Sequence, residues 1–229
     1  MPDNSDQLNS LQEASAIANA IIEPKFFCGP MKVKIPDSLM SHLMDVTNAE
    51  IEANSVPTAK DRVVARVFNA GGSHWLNGKV NDQFKNFIES CAEKYTELLQ
   101  LKRSLYPNEQ NSIKPTLDSV WMVSQYSQDY NPLHWHYGKL SGVIYLKVPP
   151  QIITGEREAQ AGIKNLHGST DGKIEFVYWS SWPFNFMSRG HGVVTPVEGD
   201  MYLFPAWLLH TVYPFHGDGE RRIVSFNLS

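Results

Sequence analysis

Three histidines in the sequence have the residue type and spacing that can hold a metal ion. His134 and His136 stand two positions apart in the segment NPLHWHYG. If this segment is a strand, both side chains point to the same face and both imidazoles can reach one ion. His210 follows a Gly-Asp turn and the pair Phe-Pro, and it begins the next apolar run. It would add a third ligand from a distant strand, leaving one side of the metal open to other molecules.

Two adjacent arginines open the last β-rich segment, and one of them suits a carboxylate ligand. The guanidinium fork makes two parallel charge-assisted hydrogen bonds to a carboxylate. In a strand over 221–228, Arg221 shares a face with Ser225 and Asn227, whereas Arg222 shares its face with apolar residues only. The more polar face is better suited to a ligand cavity. We therefore predict that Arg221 is the carboxylate clamp and that the face of Arg222 packs on helices.

The first half of the chain carries the helical patterns. Apolar residues at a helical period predict one helix from Leu39 to Ile51, capped by Asp37 or Ser38, and a longer one over 81–103, capped by Asn81. Residues 1–24 predict a short helix that includes Ile21 and Ile22 and ends before Pro24. Residues 25–35 predict a strand, and residues 55–79, which are rich in Gly, Asn and Ser, predict loop that includes at most one strand, at 62–68.

From about residue 119 the sequence changes to short β-rich runs separated by Pro, Gly, Asn and Asp. The runs are 119–126, 133–137, 141–148, 173–179, 193–195, 200–205, 209–214 and 221–228. Such a series after N-terminal helices predicts a mainly β fold, a jelly roll braced on one face by helices. We predict one domain over residues 1–229, with a helical accessory part at 1–118 and the core with the metal site at 119–229. The polar stretch 154–172 predicts a long, mobile surface loop near the cavity mouth.

Composition limits the setting and the partners. The chain has 229 residues and a formal net charge of −4, without a long block of Lys or Arg, so no nucleic-acid partner is indicated. The polar N-terminus does not resemble a secretory signal, and no apolar run is long enough to span a membrane. Cys28 and Cys91 are too few for a disulfide framework. We predict a soluble, cytoplasmic protein, and the sequence does not indicate its oligomeric state.

Four motifs in order resemble the 2-oxoglutarate/Fe(II)-dependent dioxygenase superfamily, and in particular a branch of 2OG-Fe(II) oxygenases with an H-x-H…H motif. They are HWH at 134–136, SGVIYL at 141–146, FPAWLLH at 204–210 and ERRIVSFN at 220–227. The resemblance covers about residues 119–229, roughly half of the chain. It implies a double-stranded β-helix (jelly-roll) core in which His134, His136 and His210 hold Fe(II), with 2-oxoglutarate and O2 as co-substrates.

The same resemblance implies roles for individual residues and a reaction. Arg221 matches the arginine that pairs with the 5-carboxylate of 2-oxoglutarate, and Tyr145 matches a tyrosine that often reaches that carboxylate. His136 stands where most of the superfamily has Asp or Glu, which leaves the metal site about one charge more positive. No catalytic residue beyond the metal ligands is implied. The expected reaction couples oxidative decarboxylation of 2-oxoglutarate to hydroxylation of an unidentified substrate, a protein side chain or a small molecule.

Two other functions are compatible with the same histidines. An all-histidine site with an activated water is typical of zinc lyases and hydrolases, which need no carboxylate clamp behind the metal. A non-catalytic binding jelly roll, in which the histidines are relics, is the second alternative. Only the oxygenase is expected to form a complex of Fe(II) with 2-oxoglutarate that has a metal-to-ligand charge-transfer band.

Overall fold

Two antiparallel sheets form the centre of the protein, which we describe from a computed structural model. The residues described are 12, 15, 21–22, 29–54, 56–59, 65–67, 72–103, 115–155, 170–177 and 191–229. The strands are β1 (Ile21–Ile22), β2 (Met31–Lys34), β3 (Gly72–Trp75), β4 (Leu117–Gln125), β5 (Asn131–His134), β6 (Leu140–Lys147), β7 (Ile174–Val177), β8 (His191–Val194), β9 (Asp200–Pro205), β10 (His210–Val212) and β11 (Arg221–Leu228). The helices are α1 (Asp37–Ala53), α2 (Asp82–Arg103) and α3 (Pro150–Thr154).

The sheets have the arrangement of a jelly roll. The large sheet has the order β1-β2-β9-β6-β11-β4-β3 and the small sheet the order β5-β10-β7-β8. One apolar cluster, with Trp121 and Phe176, lies between the two sheets. A second, with Phe84 of α2 and Phe226 of β11, joins the other face of the large sheet to α1 and α2. The predicted mainly β fold braced by helices is therefore confirmed. None of the helices among the described residues has the length and hydropathy of a membrane span.

Strand β11 alternates between these two clusters as its sequence predicts. Ile223 packs between the sheets, whereas Val224 and Phe226 pack toward the helices. Arg222 follows the second face, since its Nη1 donates to Asn48 Oδ1 on α1 at 2.6 Å. Both faces of the large sheet are covered, which explains why its central strands are almost entirely buried.

Several elements at the N-terminal side differ from the sequence prediction. Ile21 and Ile22 form β1, which pairs with Met31 and Lys32 of β2, and so do not continue a helix. Ile21 and Ile22 are β-branched residues, which favour strands. Pairing with the open edge of β2 also satisfies their backbone hydrogen-bonding groups. Helix α1 has Pro36 as its N-cap and no side-chain cap, so the predicted caps at Asp37 or Ser38 are wrong. The Asn81 cap of α2 is confirmed, because the Phe84 N–H donates to Asn81 Oδ1 at 2.9 Å.

Two further differences affect the surroundings of the histidines. A strand, β3, lies inside the stretch 55–79 predicted as loop, and it extends the large sheet by pairing with β4. It brings Trp75 beside Trp121. Of the predicted surface loop 154–172, residues 156–169 lie outside the described residues, so its mobility and its place near the cavity mouth stay predictions.

Gly142 allows close packing at the centre of the large sheet, and its replacement by alanine is expected to destabilise the protein. A Cβ at this position would lie 2.2 Å from Cζ of Phe226. The ring cannot move freely, because it also packs edge-to-face on Phe84 at 6.3 Å between centroids. Overpacking of this kind costs about 1–3 kcal/mol. We expect Gly142→Ala to lower the free energy of unfolding by that amount in urea titrations.

The matched control for this prediction is the double variant Gly142→Ala/Phe226→Leu. A smaller side chain at 226 removes the clash, so the double variant should lose less stability than the sum of the two single losses. Additive losses would show that Phe226 is not what restricts position 142.

Candidate metal centre

Two neighbouring strands of the small sheet position His134 and His210. The two residues are register partners where β5 pairs with β10, so their side chains emerge side by side on the same face. Strand β5 ends at His134, earlier than the predicted strand 133–137. His136 nevertheless points inward as well, because its backbone N–H donates to Ala206 O at 2.8 Å and keeps the chain on an extended path. The predicted same-face arrangement of His134 and His136 is thus present.

The three imidazoles converge on one point. Their candidate ligand nitrogens all lie within 4.8 Å of one another. The Nε2 atoms of His136 and His210 are 3.2 Å apart. Two nitrogens bound at right angles to one ion, with bonds of about 2.1 Å, would be roughly 3.0 Å apart. The spacing therefore fits two ligands of a single metal ion, with His134 close enough to be the third.

Backbone carbonyls fix the orientation of two of the rings. His134 Nδ1 lies 2.6 Å from Pro132 O, and His210 Nδ1 lies 2.8 Å from Leu208 O. A carbonyl oxygen only accepts, so each Nδ1 must carry the proton and donate it. Each Nε2 is then left with a free lone pair directed toward the other rings. Hydrogen bonds of this kind to the outer nitrogen are typical of histidines that bind metals.

Burial keeps all three histidines neutral. Desolvation lowers the pKa of His134, lowers the pKa of His136 to about 3, and lowers the pKa of His210 well below its usual value. At neutral pH the imidazoles are therefore unprotonated at one nitrogen and available as ligands. Three neutral imidazoles suit Fe(II), Zn(II), Ni(II) or Cu(II) rather than Mg(II) or Ca(II). The donor set fits the Fe(II) that the sequence resemblance implies.

Arg221 is a buried cation on the inner face of β11. Its side chain is 1% exposed, and its Nη1 donates to Gly172 O at 2.8 Å while Nη2 donates to Gln125 Oε1. Its Nε is buried without a partner. Burial lowers the pKa of Arg221 to about 10, which still leaves the guanidinium charged at neutral pH. The two hydrogen bonds of this buried cation go to neutral oxygens, the carboxylate of Asp129 also interacts with it electrostatically, and the unused Nε donor fits an anionic ligand such as a carboxylate.

Tyr145 lies beside Arg221 on the neighbouring strand. It is the register partner of Ile223 and is 2% exposed. Its hydroxyl makes no hydrogen bond with a residue that the structure describes. Burial raises the pKa of Tyr145 above its usual value, so the hydroxyl stays protonated and can donate. Arg221 and Tyr145 thus place donors in one buried region.

A cavity of about 330 Å³ opens between the two sheets at the histidines. It is lined by all three histidines and by Asn131, but neither Arg221 nor Tyr145 lines it. Asn131 Oδ1 accepts a hydrogen bond from Gln125 Nε2 at 2.9 Å, and Gln125 in turn accepts from Arg221. The structure therefore brings the three histidines together and sets Arg221 one hydrogen-bonded layer behind the cavity wall.

Some residues of this region were not assigned by the sequence. The alternation of β11 does predict Ser225 and Asn227 on the cavity side, and both line the cavity. Gln125 connects Arg221 to Asn131, whereas the sequence left open whether Gln125 and Asn131 line the co-substrate pocket or are ordinary strand and turn residues. Asp118 also lines the cavity, although simple alternation along β4 would send it to the helix side.

Comparison with known proteins agrees with the motifs. Residues 119–227 match the family described as "Putative 2OG-Fe(II) oxygenase". No curated protein matches the chain. The resemblance predicted from the four motifs is therefore confirmed over the segment that contains the three histidines and Arg221.

Solved structures with the same fold have very different sequences. The carbocyclase SnoK of nogalamycin biosynthesis has a TM-score of 0.56 at 9% identity, covering 93% of this chain and 85% of that one. AviO1 from Streptomyces viridochromogenes has a TM-score of 0.53 at 12% sequence identity, and the match covers 96% of this chain and 95% of that one. A prolyl-4-hydroxylase from Pseudomonas putida has a TM-score of 0.50 at 13% sequence identity, and the match covers 93% of this chain and 97% of that one. At such identities the likeness concerns the jelly-roll fold.

Proposed function

We propose that this chain, whose residues 119–227 match the 2OG-Fe(II) oxygenases, is a 2-oxoglutarate- and Fe(II)-dependent dioxygenase that hydroxylates a substrate. The observation that carries the proposal is the convergence of three imidazoles, two buried and that of His136 partly buried, within 4.8 Å of one another, on an open cavity. Arg221, a buried cation on the same inner face, supplies the second requirement, a site for the carboxylate of the co-substrate.

Each proposed residue has a distinct task. His134, His136 and His210 hold the iron, and Arg221 and Tyr145 bind the 5-carboxylate of 2-oxoglutarate. When bound, Fe(II) with 2-oxoglutarate and O2 supplies the oxidising power, giving succinate, CO2 and a hydroxylated product. We assign no further catalytic residue.

The protein's own groups position and shield these reactants. The carbonyls of Pro132 and Leu208 hold the rings of His134 and His210 in the ligating orientation. Phe204, which packs on His210 with ring centroids 5.0 Å apart, keeps water from that side of the centre. The Arg221 guanidinium neutralises the carboxylate, and the Tyr145 hydroxyl supplies one more donor to it.

We also propose that the chain acts as one domain over residues 1–229, with residues 1–118 as an accessory part. The helices α1 and α2 share an apolar cluster with the large sheet. Thr116, near the end of the accessory part, exchanges backbone hydrogen bonds of 3.0 Å with Ser229. The accessory part therefore covers a face of the core that would otherwise be exposed.

The test is the absorption spectrum of the protein with Fe(II) and 2-oxoglutarate under anaerobic conditions. The proposal expects a metal-to-ligand charge-transfer band that needs both Fe(II) and 2-oxoglutarate, followed by succinate formation when O2 is admitted. A protein that is active with Zn(II) and ignores 2-oxoglutarate would be a lyase or hydrolase. A protein that binds no metal at the three histidines would be a binding jelly roll.

His136→Asp is expected to keep Fe(II) binding, because it recreates the two-histidine, one-carboxylate set that the wider superfamily uses. The carboxylate also removes about one positive charge from the site. We expect the charge-transfer band to persist at a shifted energy, whereas the control His136→Ala should lose it. Loss of iron from both variants, measured by metal analysis after desalting, would show that the backbone at 136 fits only an imidazole.

A further inference from the structure

An aromatic wall extends from the metal centre to one side of the cavity. The ring of Trp121 lies 5.6 Å from that of His136 and 6.0 Å, edge-to-face, from that of Trp75. Trp135 and Tyr137 also line the cavity and are counted with this wall, and 62% and 90% of their surfaces are exposed. Large aromatic rings open to solvent beside a reactive centre are expected to contact a substrate, because folding leaves them without a partner.

A β-bulge turns Asp118 toward the same space. In the pairing of β4 with β11, Ser119 is opposite Asn227 and Leu117 is opposite Leu228, which leaves Asp118 as an extra residue. Leu117 packs with the cluster under the helices, whereas Asp118 and Ser119 both line the cavity. Bulges of this kind re-aim a side chain. The carboxylate of Asp118 is exposed and forms no ion pair with a residue that the structure describes.

A second oxygen acceptor lies next to Asp118. Asn227, the neighbour of Ser119 across the sheet, lines the cavity, and its Oδ1 is buried without a hydrogen-bond partner. A buried acceptor that is left unsatisfied is costly, so this atom needs a donor from a bound molecule. Asp118 and Asn227 together therefore offer acceptors where the substrate must supply donors.

The charge of this side of the cavity is negative. Among its described lining residues none is Lys or Arg, and Asp118 is the only acidic one. Under the proposed function, the charge of Fe(II) balances that of the 2-oxoglutarate dianion. Arg221 lies behind the cavity wall, so the carboxylate of Asp118 is the negative group that faces the space where the substrate binds.

We propose that the substrate presents a cationic group, an organic ammonium or a guanidinium, to the wall formed by Trp75, Trp121, Trp135 and Tyr137, with Asp118 as its counter-ion and Asn227 as an acceptor. The inference rests on the proposed function and adds the class of substrate to it. Aromatic faces attract cations, and a carboxylate at the mouth repels anionic competitors. A basic side chain of a protein and a free organic amine share this chemistry.

The test uses probes of similar length and different charge on the anaerobic protein loaded with Fe(II) and 2-oxoglutarate. Butylammonium, pentanol and pentanoate are titrated, and Fe(II)-induced broadening of their proton NMR signals reports binding near the metal. A Zn(II)-loaded sample gives the diamagnetic baseline. We expect butylammonium to bind on the order of tenfold more tightly than pentanol, with pentanoate weakest, and the preference to shrink with added salt.

Two variants at position 118 and a matched control sharpen the test. Asp118→Asn should remove most of the preference for butylammonium, and Asp118→Lys should reverse it in favour of pentanoate. Asp45→Asn, which makes the same change at an exposed carboxylate on α1, should leave the preference intact. An acetylated and amidated Gly-Lys-Gly peptide as a further probe distinguishes the source: tighter binding than butylammonium indicates a protein substrate, equal binding a small amine.

The outcomes separate this inference from the proposed function. If the charge-transfer band forms but pentanol or pentanoate binds as well as butylammonium, the cationic substrate is wrong and the oxygenase stands. A preference for butylammonium that survives in Asp118→Asn would also overturn the role of Asp118. Absence of the band in the same sample would instead overturn the proposed function.

Discussion

Alanine at any one of His134, His136 or His210 is expected to abolish 2-oxoglutarate turnover while leaving the protein folded. The three nitrogens lie within 4.8 Å of one another, so each variant removes one ligand of a three-ligand set. Loss of an outer partner of a metal ligand typically costs 10–100-fold, so loss of a ligand itself should cost on the order of 100-fold or more. Succinate formation with Fe(II) and 2-oxoglutarate measures the loss, and thermal unfolding by circular dichroism checks the fold.

The matched control is His42→Ala, which removes a histidine on α1 that lies outside the cavity lining. It should keep turnover close to that of the unaltered protein. If one of the three site variants also produces succinate at a near wild-type rate, that histidine is not a ligand. A variant that fails to fold is separated from one that fails to bind iron by its unfolding curve.

The sequence was sufficient for the relative placement of His134 and His136 because it depends on a short-range rule. The residues at 134 and 136 share a face in any extended segment, and this holds although β5 ends at His134. The alternation of Arg221 and Arg222 follows from the same rule. The jelly roll itself could be predicted from the number and spacing of β-rich runs, since these patterns extend over many residues.

Other features depend on long-range contacts and could not be predicted from local patterns. Asp118 lines the cavity only because β4 contains an extra residue relative to β11, and a bulge depends on both strands. Ile21 and Ile22 form a strand because the edge of β2 is available to them. The link from Arg221 through Gln125 to Asn131 joins side chains whose roles appear only when three strand ends meet.

The second large effect is expected at Arg221. Arg221→Ala should weaken 2-oxoglutarate binding by about 30-fold or more, because a carboxylate bound in a closed region without its cation costs on the order of 2–5 kcal/mol. Arg221 is 1% exposed, and its Nε has no hydrogen-bond partner, so the guanidinium has a donor available for the carboxylate. The apparent affinity for 2-oxoglutarate, measured from the charge-transfer band at saturating Fe(II), reports the effect. Arg221→Lys keeps the positive charge but lacks the forked guanidinium. Its affinity for 2-oxoglutarate should therefore lie between those of the unaltered protein and Arg221→Ala.

Arg222→Ala is the control for this prediction, and it should act on stability and leave 2-oxoglutarate affinity nearly unchanged. Arg222 Nε donates to Glu220 Oε1 at 2.7 Å, and its Nη1 donates to Asn48 on α1. Breaking a largely buried ion pair of this kind costs about 3–5 kcal/mol. If Arg222→Ala causes the large loss of affinity and Arg221→Ala the small one, the assignment of the two arginines is inverted.

The pairing of β5 with β10 has a consequence for how the protein folds. His134 and His210 are register partners although 76 positions separate them in the chain, and β10 also pairs with β7. Contacts between residues so far apart form slowly, because the chain loses the entropy of closing a long loop before the contacts contribute any stabilisation. A slip of one residue between these strands would turn one histidine out of the cavity. The complete ligand set can therefore exist only after the small sheet has assembled in its correct register, and metal uptake should follow folding rather than nucleate it.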